Sequence, residues 1–305
     1  MEQYVRADHP VLETGKTRLG KRLAPYALTA PGALWLLIFF LIPMGAMLVL
    51  ALETPVQTTG FVSRGYQFTW HFGQFGEAFR LYHTQLFRSL NYATIVTILT
   101  LVVGYPVAYW IAFYGGRRKT TYLFLLLLPF FVSFVIRSLA WQFILSDDGI
   151  VIRNLERWHI VPSGFHILST TTAVIAGITY NALPFMILPL YVSLEKIDRS
   201  VVEAAKDLYA NKRDVFLKVI LPLSVPGIFA GFLLTFVPAV GDYVNAEILG
   251  GTGTTMIGNV IQFEFLTNND YPMASALAFI LMVGLLIGIL IYGRVLGTRQ
   301  IEEYV

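Results

Sequence analysis

Six stretches of this sequence are apolar for long enough to cross a lipid bilayer, and no other feature limits the fold as tightly. They fall roughly at 27–51, 89–114, 121–145, 170–194, 225–246 and 273–296. A hydrocarbon core about 30 Å thick takes about 20 residues of helix. Backbone N–H and C=O groups find no water there, so each run must satisfy them internally, as a helix does. Composition points the same way. Of the 305 residues 56% are hydrophobic and 13% charged, against about 25% charged in soluble domains. The expected fold is all-α: a polytopic membrane protein with six transmembrane helices. One domain spans 27–296, between tails at 1–26 and 297–305. The first run is too long for the core of a signal peptide and is read as a retained first span. Pro129, Pro184, Pro189 and Pro238 lie inside runs, where proline kinks a helix and frees carbonyls.

Charge placement gives the orientation. With the N-terminus inside, sixteen Lys and Arg fall on the inner side and five on the outer. By the positive-inside rule both termini are cytoplasmic, and so is the charged segment at 195–224 between the fourth and fifth spans. The net charge of +3 needs no nucleic acid to explain it.

Chemistry-bearing motifs are few. There is no cysteine, which excludes disulfides and thiol chemistry. Gly15-Lys16-Thr17 ends like a phosphate-binding loop, but Pro10 stands where that motif needs glycine. His9, His71, His83, His159 and His166 show no metal-ligand spacing. No GxSxG nucleophile motif occurs. The chain is therefore expected to be no enzyme, with no cofactor or metal of its own.

The 195–224 segment is helical in pattern. Ser200 can cap, with Glu203 three residues on as in a capping box. Val202, Ala205, Leu208 and Tyr209 recur at three- and four-residue spacing, an apolar stripe that can dock. Asn211 interrupts, Asp214 is the next candidate cap, and Pro222 and Pro226 mark a bend into the fifth span.

Glu203-Ala204-Ala205, a turn, then Ile220-Leu221-Pro222 resembles the EAA loop of bacterial ABC importer permeases. LAPYALTAPGALWLLIFFLIP at 23–43 resembles their first span. FVPAVGDYVNAEILGG at 236–251, MIGNVIQFEF at 256–265 and DYPMASALA at 270–278 resemble the spermidine/putrescine branch. The likeness covers about 23–296. It implies the type I importer permease fold with a cytoplasmic coupling helix. It also implies a bacterial cytoplasmic-membrane location, and a solute moved by alternating access. The implied partners are a second homologous permease, two ATPase subunits holding ATP and Mg, and an extracytoplasmic solute-binding protein. Glu203, Ala204, Ala205, Leu208, Tyr209 and Pro222 would form the ATPase-coupling surface. The family usually has glycine at Tyr209, where positive φ is cheap. Tyrosine does not adopt it cheaply, so the turn is expected around Asn211 instead.

Two charged residues near spans stand out. Arg137 is expected in the last turn of the third span, at the outer interface, where snorkelling and a helix C-terminus suit it. Asp242 ends the fifth span, followed by Tyr243 and Glu247, and 247–272 has acids but no Lys or Arg. An acidic, aromatic outer mouth suits a polycation through Coulomb attraction and cation–π contacts. The substrate-pathway residues expected are Asp242 first, then Tyr243 and Glu247, then Glu264, Asp270 and Trp141. The polyamine reading has alternatives: a permease for a different small solute, an ion-coupled secondary carrier, or a non-transporting scaffold. The carrier would need intramembrane acids or histidines near the midplane.

Overall fold

The computed structural model describes residues 29–56, 65–162 and 164–301. The tail at 1–26 with its Gly15-Lys16-Thr17, His9 and basic residues lies outside the described residues, as do Arg64 and 302–305. Two units divide the chain, Met1–Val49 and Leu50–Val305.

The first unit holds most of α1 (Thr29–Ala51), a helix apolar on every side and long enough to span. In the second unit a two-stranded antiparallel hairpin, β1 (Glu53–Val56) with β2 (Gly65–Phe68), precedes the helices. The order is then α2 (Gly73–Tyr114), α3 (Lys119–Leu127), α4 (Phe134–Leu145), α5 (Ile150–Arg157) and α6 (Thr171–Glu195). It continues with α7 (Arg199–Asp207), α8 (Lys212–Leu223), α9 (Val225–Val240), α10 (Tyr243–Leu249), α11 (Ile257–Leu266) and α12 (Tyr271–Ile301).

Among the described residues four helices are long and apolar enough to cross a membrane: α1, α2, α6 and α12, the last counted to Arg294. Two bent pairs raise the number to six if each counts as one span. They are Gly116–Phe131 with Phe134–Arg157, bent by 87°, and α8 with α9, bent by 61°. The third expected span is therefore not one straight helix. Pro129 sits in a 3₁₀ turn over Leu128–Phe131, after which Val132 is extended and α4 starts afresh. Pro184 and Pro189, in contrast, lie inside an unbroken α6.

Two stretches differ from the sequence reading. The second span begins sixteen residues before its apolar run, so α2 is 42 residues long, about 63 Å. Its extra turns bury Ala78 and pack Phe75, Tyr82 and Leu86 on Ile257, Val260, Met273 and Leu277. Packing there replaces the apolar run that a bilayer would require. The segment expected as an outer loop at 247–272 is largely helical for the same reason.

The core of the second unit is α6 packed against α2 and α9. Without water to squeeze helices together, packing depends on close approach, which small residues permit. Gly227 and Gly231, four apart and so on one face, are those residues on α9. A Cβ on Gly227 would lie 2.5 Å from Ser193 Cβ and 2.8 Å from the Pro189 carbonyl oxygen; one on Gly231 would meet Met186 Sδ at 2.6 Å. Gly227→Ala should therefore force α6 and α9 apart and destabilise the protein by about 1–3 kcal/mol, seen as a lower melting temperature in detergent. Gly284→Ala, whose Cβ would meet nothing within 4 Å, should not.

Candidate functional site

The chain leaves α9 at Val240, and Asp242 restarts it as the N-cap of α10. The Asp242 carboxylate accepts hydrogen bonds from Asn245 N at 3.0 Å and Asn245 Nδ2 at 2.6 Å. Asn245 Oδ1 in turn accepts from Ser138 Oγ at 2.8 Å and Asn181 Nδ2 at 3.3 Å. One buried network thus ties α4, α6 and α10 together. Asn181 is ten residues into α6 and fourteen from its end, about 15 Å and 21 Å. Asp242 therefore lies midway along α6, not at an outer mouth. The apolar run hides this, because the break at Gly241 cannot be read from composition.

Beside Asp242 is a cavity of about 240 Å³ whose lining includes Phe134, Asn181, Phe185, Thr235 and Tyr243. Asn181 is 5% exposed and Thr235 1%, yet Asn181 Oδ1 and Thr235 Oγ1 have no hydrogen-bond partner among the described residues. A buried polar atom left unmatched costs about 1–3 kcal/mol. The lining is mostly apolar and aromatic with Asp242 its one charged residue, which suits an ammonium group and its methylenes. The sequence reading missed Asn181 and Thr235; a lone polar residue inside an apolar run was the available signal. A second groove of about 790 Å³ shares Phe185 and Leu234 with the cavity and reaches Lys196 and Asp198.

The remaining acids do not gather at that cavity. Glu264 is buried and accepts from Tyr82 Oη at 2.5 Å and Asn268 Nδ2 at 2.8 Å. Asp270 caps α12, accepting from Met273 N at 3.1 Å. Glu247 Oε2 accepts from Asn259 Nδ2 at 3.1 Å. Trp141 packs edge-on against Tyr180 rather than standing free. The acidic mouth read from sequence dissolves into capping and buried pairing, roles any carboxylate near a helix start can take. Tyr243, 42% exposed, is the one of these that lines the cavity with Asp242. Arg137 is also displaced. The break before α4 puts it in a first helical turn, its N–H bonded to the Ser133 carbonyl, not in a last turn.

The EAA segment forms α7, a turn and α8. Asp198, not Ser200, caps α7, accepting from Ser200 N at 2.9 Å; that amide first, then the Ser200 hydroxyl, holds the Asp198 carboxyl below its usual range. Asn211, not Asp214, caps α8 by accepting from Asp214 N at 2.8 Å. The apolar stripe splits. Val202 is buried and Ala205 packs with it against Ile197, Val215 and Ile220, so they hold α7 down. Leu208 and Tyr209, 82% and 97% exposed, project outward with the exposed Glu203 and Ala204. Pro222 is exposed in α8. The bend that follows is fixed by buried Ser224, whose Oγ bonds Tyr105 Oη at 2.8 Å.

Tyr209 takes the glycine conformation itself, at φ +60°. Tyr209 N bonds the Lys206 carbonyl and Ala210 N the Ala205 carbonyl, the paired bonds of a Schellman C-cap. Asn211 is extended at φ −72°, so the turn is not built around it.

The chain matches, over residues 27–296, the family described as binding-protein-dependent transport system inner membrane component. It belongs to that family. The permease is 39% identical over 271 residues to the spermidine/putrescine transport system permease protein PotB of Haemophilus influenzae, covering 88% of this chain and 93% of that one. It is 39% identical over 214 residues to PotB of Escherichia coli, covering 70% and 78%. Its fold is that of a solved bacterial ABC transporter involved in import of the acidic polysaccharide alginate: TM-score 0.68 at 21% identity, covering 92% of this chain and 99% of that one. It is thus a multi-pass permease subunit of an ABC importer in the inner membrane.

Because a left-handed non-glycine residue costs about 1 kcal/mol, Tyr209→Gly should leave the permease as stable or slightly more so. A fall in transport with no fall in melting temperature would assign the exposed ring to a contact with another subunit.

Proposed function

We propose that this permease carries a small cation, most simply a polyamine such as spermidine or putrescine, inward across the membrane in an ATP-driven importer. The observation that carries the reading is the 39% identity to spermidine/putrescine permeases over up to 88% of the chain. The Asp242 cavity supports it chemically: the carboxylate offers Coulomb attraction and the aromatic walls a surface for ammonium groups, worth about 0.5–2 kcal/mol each.

The assembly proposed is this chain, a second homologous permease, two ATPase subunits holding ATP and Mg, and an extracytoplasmic solute-binding protein. The skewed Lys and Arg count supports both termini and the Glu203 segment on the cytoplasmic side. There Glu203, Ala204, Leu208 and Tyr209 offer a projecting surface to the ATPase, while Val202 and Ala205 transmit its movement to α8 and, through the Ser224 bend, to α9. Asp242 and its network lie at the far end of that same helix. Closure of the ATPase pair on ATP would then shift α9 against α6 and change the side to which the cavity opens. Glu247, Glu264, Asp270 and Trp141, engaged elsewhere, serve this pathway by shaping it.

Glu203→Arg should block uptake and remove the ATPase from the purified complex while the permease still inserts. Transport and co-purification at wild-type levels would refute the coupling role. Asp242→Asn keeps an acceptor for Asn245 N but removes the charge and the acceptor of Asn245 Nδ2, so it should lower polyamine-stimulated ATPase activity about tenfold, equivalent to about 1.4 kcal/mol, with assembly unchanged. Wild-type stimulation in that variant, with a neutral solute stimulating instead, would reject the cationic substrate.

A further inference from the structure

We propose that the crevice between the end of α2 and the α7–α8 pair seats the phosphodiester headgroup of an anionic membrane lipid, which pins the EAA segment to the bundle. It rests on membrane residence and on the crevice itself, not on the nature of the solute.

The crevice has a volume of about 510 Å³, and Arg199, Lys206 and Lys212 line it with a single acid, Glu203. Arg199, Glu203 and Lys206 share one face of α7 by their three- and four-residue spacing. Yet none of the three cations forms an ion pair among the described residues. Other lysines nearby do: Lys119 reaches Glu195 at 2.6 Å and Lys218 reaches Asp214 at 2.9 Å. Topological bias explains why Lys and Arg lie at this end of the spans. It does not explain why three unmatched ones surround one crevice. The delocalised charge of a phosphate accepts hydrogen bonds from several Lys and Arg side chains at once.

The opposite wall is aromatic. The rings of Tyr109 and Phe113 are 4.8 Å apart and those of Tyr109 and Tyr114 6.1 Å, and all three side chains line the crevice. A free phosphate makes no use of such a wall, whereas the glycerol and acyl carbons beside a headgroup bury against it.

The level fits a lipid as well. α2 and α6, both long and apolar enough to cross a membrane, end at Tyr114 and Glu195, and the Lys119–Glu195 pair ties those ends together. The aromatic wall is therefore about the last two turns of a span, where it leaves hydrocarbon. Beside it Trp110, 48% exposed, meets the Tyr122 ring at 4.9 Å. Such amphipathic rings gather at bilayer–water boundaries. Arg117 and Arg118 follow at once, both exposed. Lipid phosphates lie at that boundary, and basic pockets at helix ends recruit anionic headgroups. The lining draws on α2, α7 and α8, so a headgroup held there bridges all three.

The test uses the complete importer in bilayers. A photoreactive phosphatidylglycerol should crosslink to residues 109–114 or 199–212 of the wild-type chain. Arg199→Gln, Lys206→Gln and Lys212→Gln together should cut that yield about tenfold or more, and the exposed Lys206→Gln alone about fivefold, the worth of one cation near an anionic surface. Adding phosphatidylglycerol to phosphatidylethanolamine bilayers should raise the melting temperature of the wild-type complex but not of the triple variant. Co-purification of the ATPase should be unchanged in both variants. Equal crosslinking in the wild type and both variants would overturn the proposal, because general bilayer charge would then account for it. So would loss of the ATPase from the variants, which would give the cations to a subunit contact. Stabilisation by inorganic phosphate alone, with no lipid captured, would give the crevice to a soluble anion and overturn it too.

Discussion

The close approach of α6 and α9 governs the rest of this molecule. In hydrocarbon there is no hydrophobic gain from pressing two apolar helices together, so contact must come from shape. Gly227 and Gly231 supply it by letting the α9 backbone lie against Pro189, Leu190 and Met186. That contact fixes the height of α9 along α6. It therefore fixes where Gly241 falls, and with it the depth of Asp242. A side chain at either glycine would move the cavity as well as loosen the bundle.

The break at Gly241–Asp242 would be costly in lipid, because it frees carbonyls and amides. Here Asp242 caps the new helix, and Asn245 passes the connection on to Ser138 and Asn181. The atoms left over, Asn181 Oδ1 and Thr235 Oγ1, are buried on residues that line the cavity beside the break. Irregular backbone and unmatched polar atoms thus coincide. The same logic applies on the other bent pair, where Arg137 follows the turn at Val132 and Ser133.

At the opposite end the EAA segment shows how tertiary packing outweighs a local preference. Tyrosine disfavours positive φ by about 1 kcal/mol. Burial of Val202, Val215 and Ile220, with Ala205 and Ala210 packed on them, outweighs that and sets the angle between α7 and α8. The ring is left almost wholly exposed. The loop is therefore rigid on the side facing the bundle and presents its unburied residues on the other.

The sequence by itself determined that the chain is helical and built to cross a membrane, because bilayer thickness sets a length that can be counted; four of the expected spans are single helices and two are bent pairs. It also determined the EAA helix pair and the family, since fixed spacings of Glu, Ala and Pro are local. Candidate residues were legible only in part: Asp242 and Tyr243 line one cavity and Glu203 is exposed on α7. Glu264 and Asp270 read as free acids but are spent on Tyr82 and on the α12 cap. Only the tertiary structure decided the depth of Asp242, the unmatched atoms of Asn181 and Thr235, and the position of Arg137. Each depends on where a helix breaks. A break is settled by partners far apart in sequence, Ser138 with Asn245 across 107 positions, and no local pattern encodes that meeting.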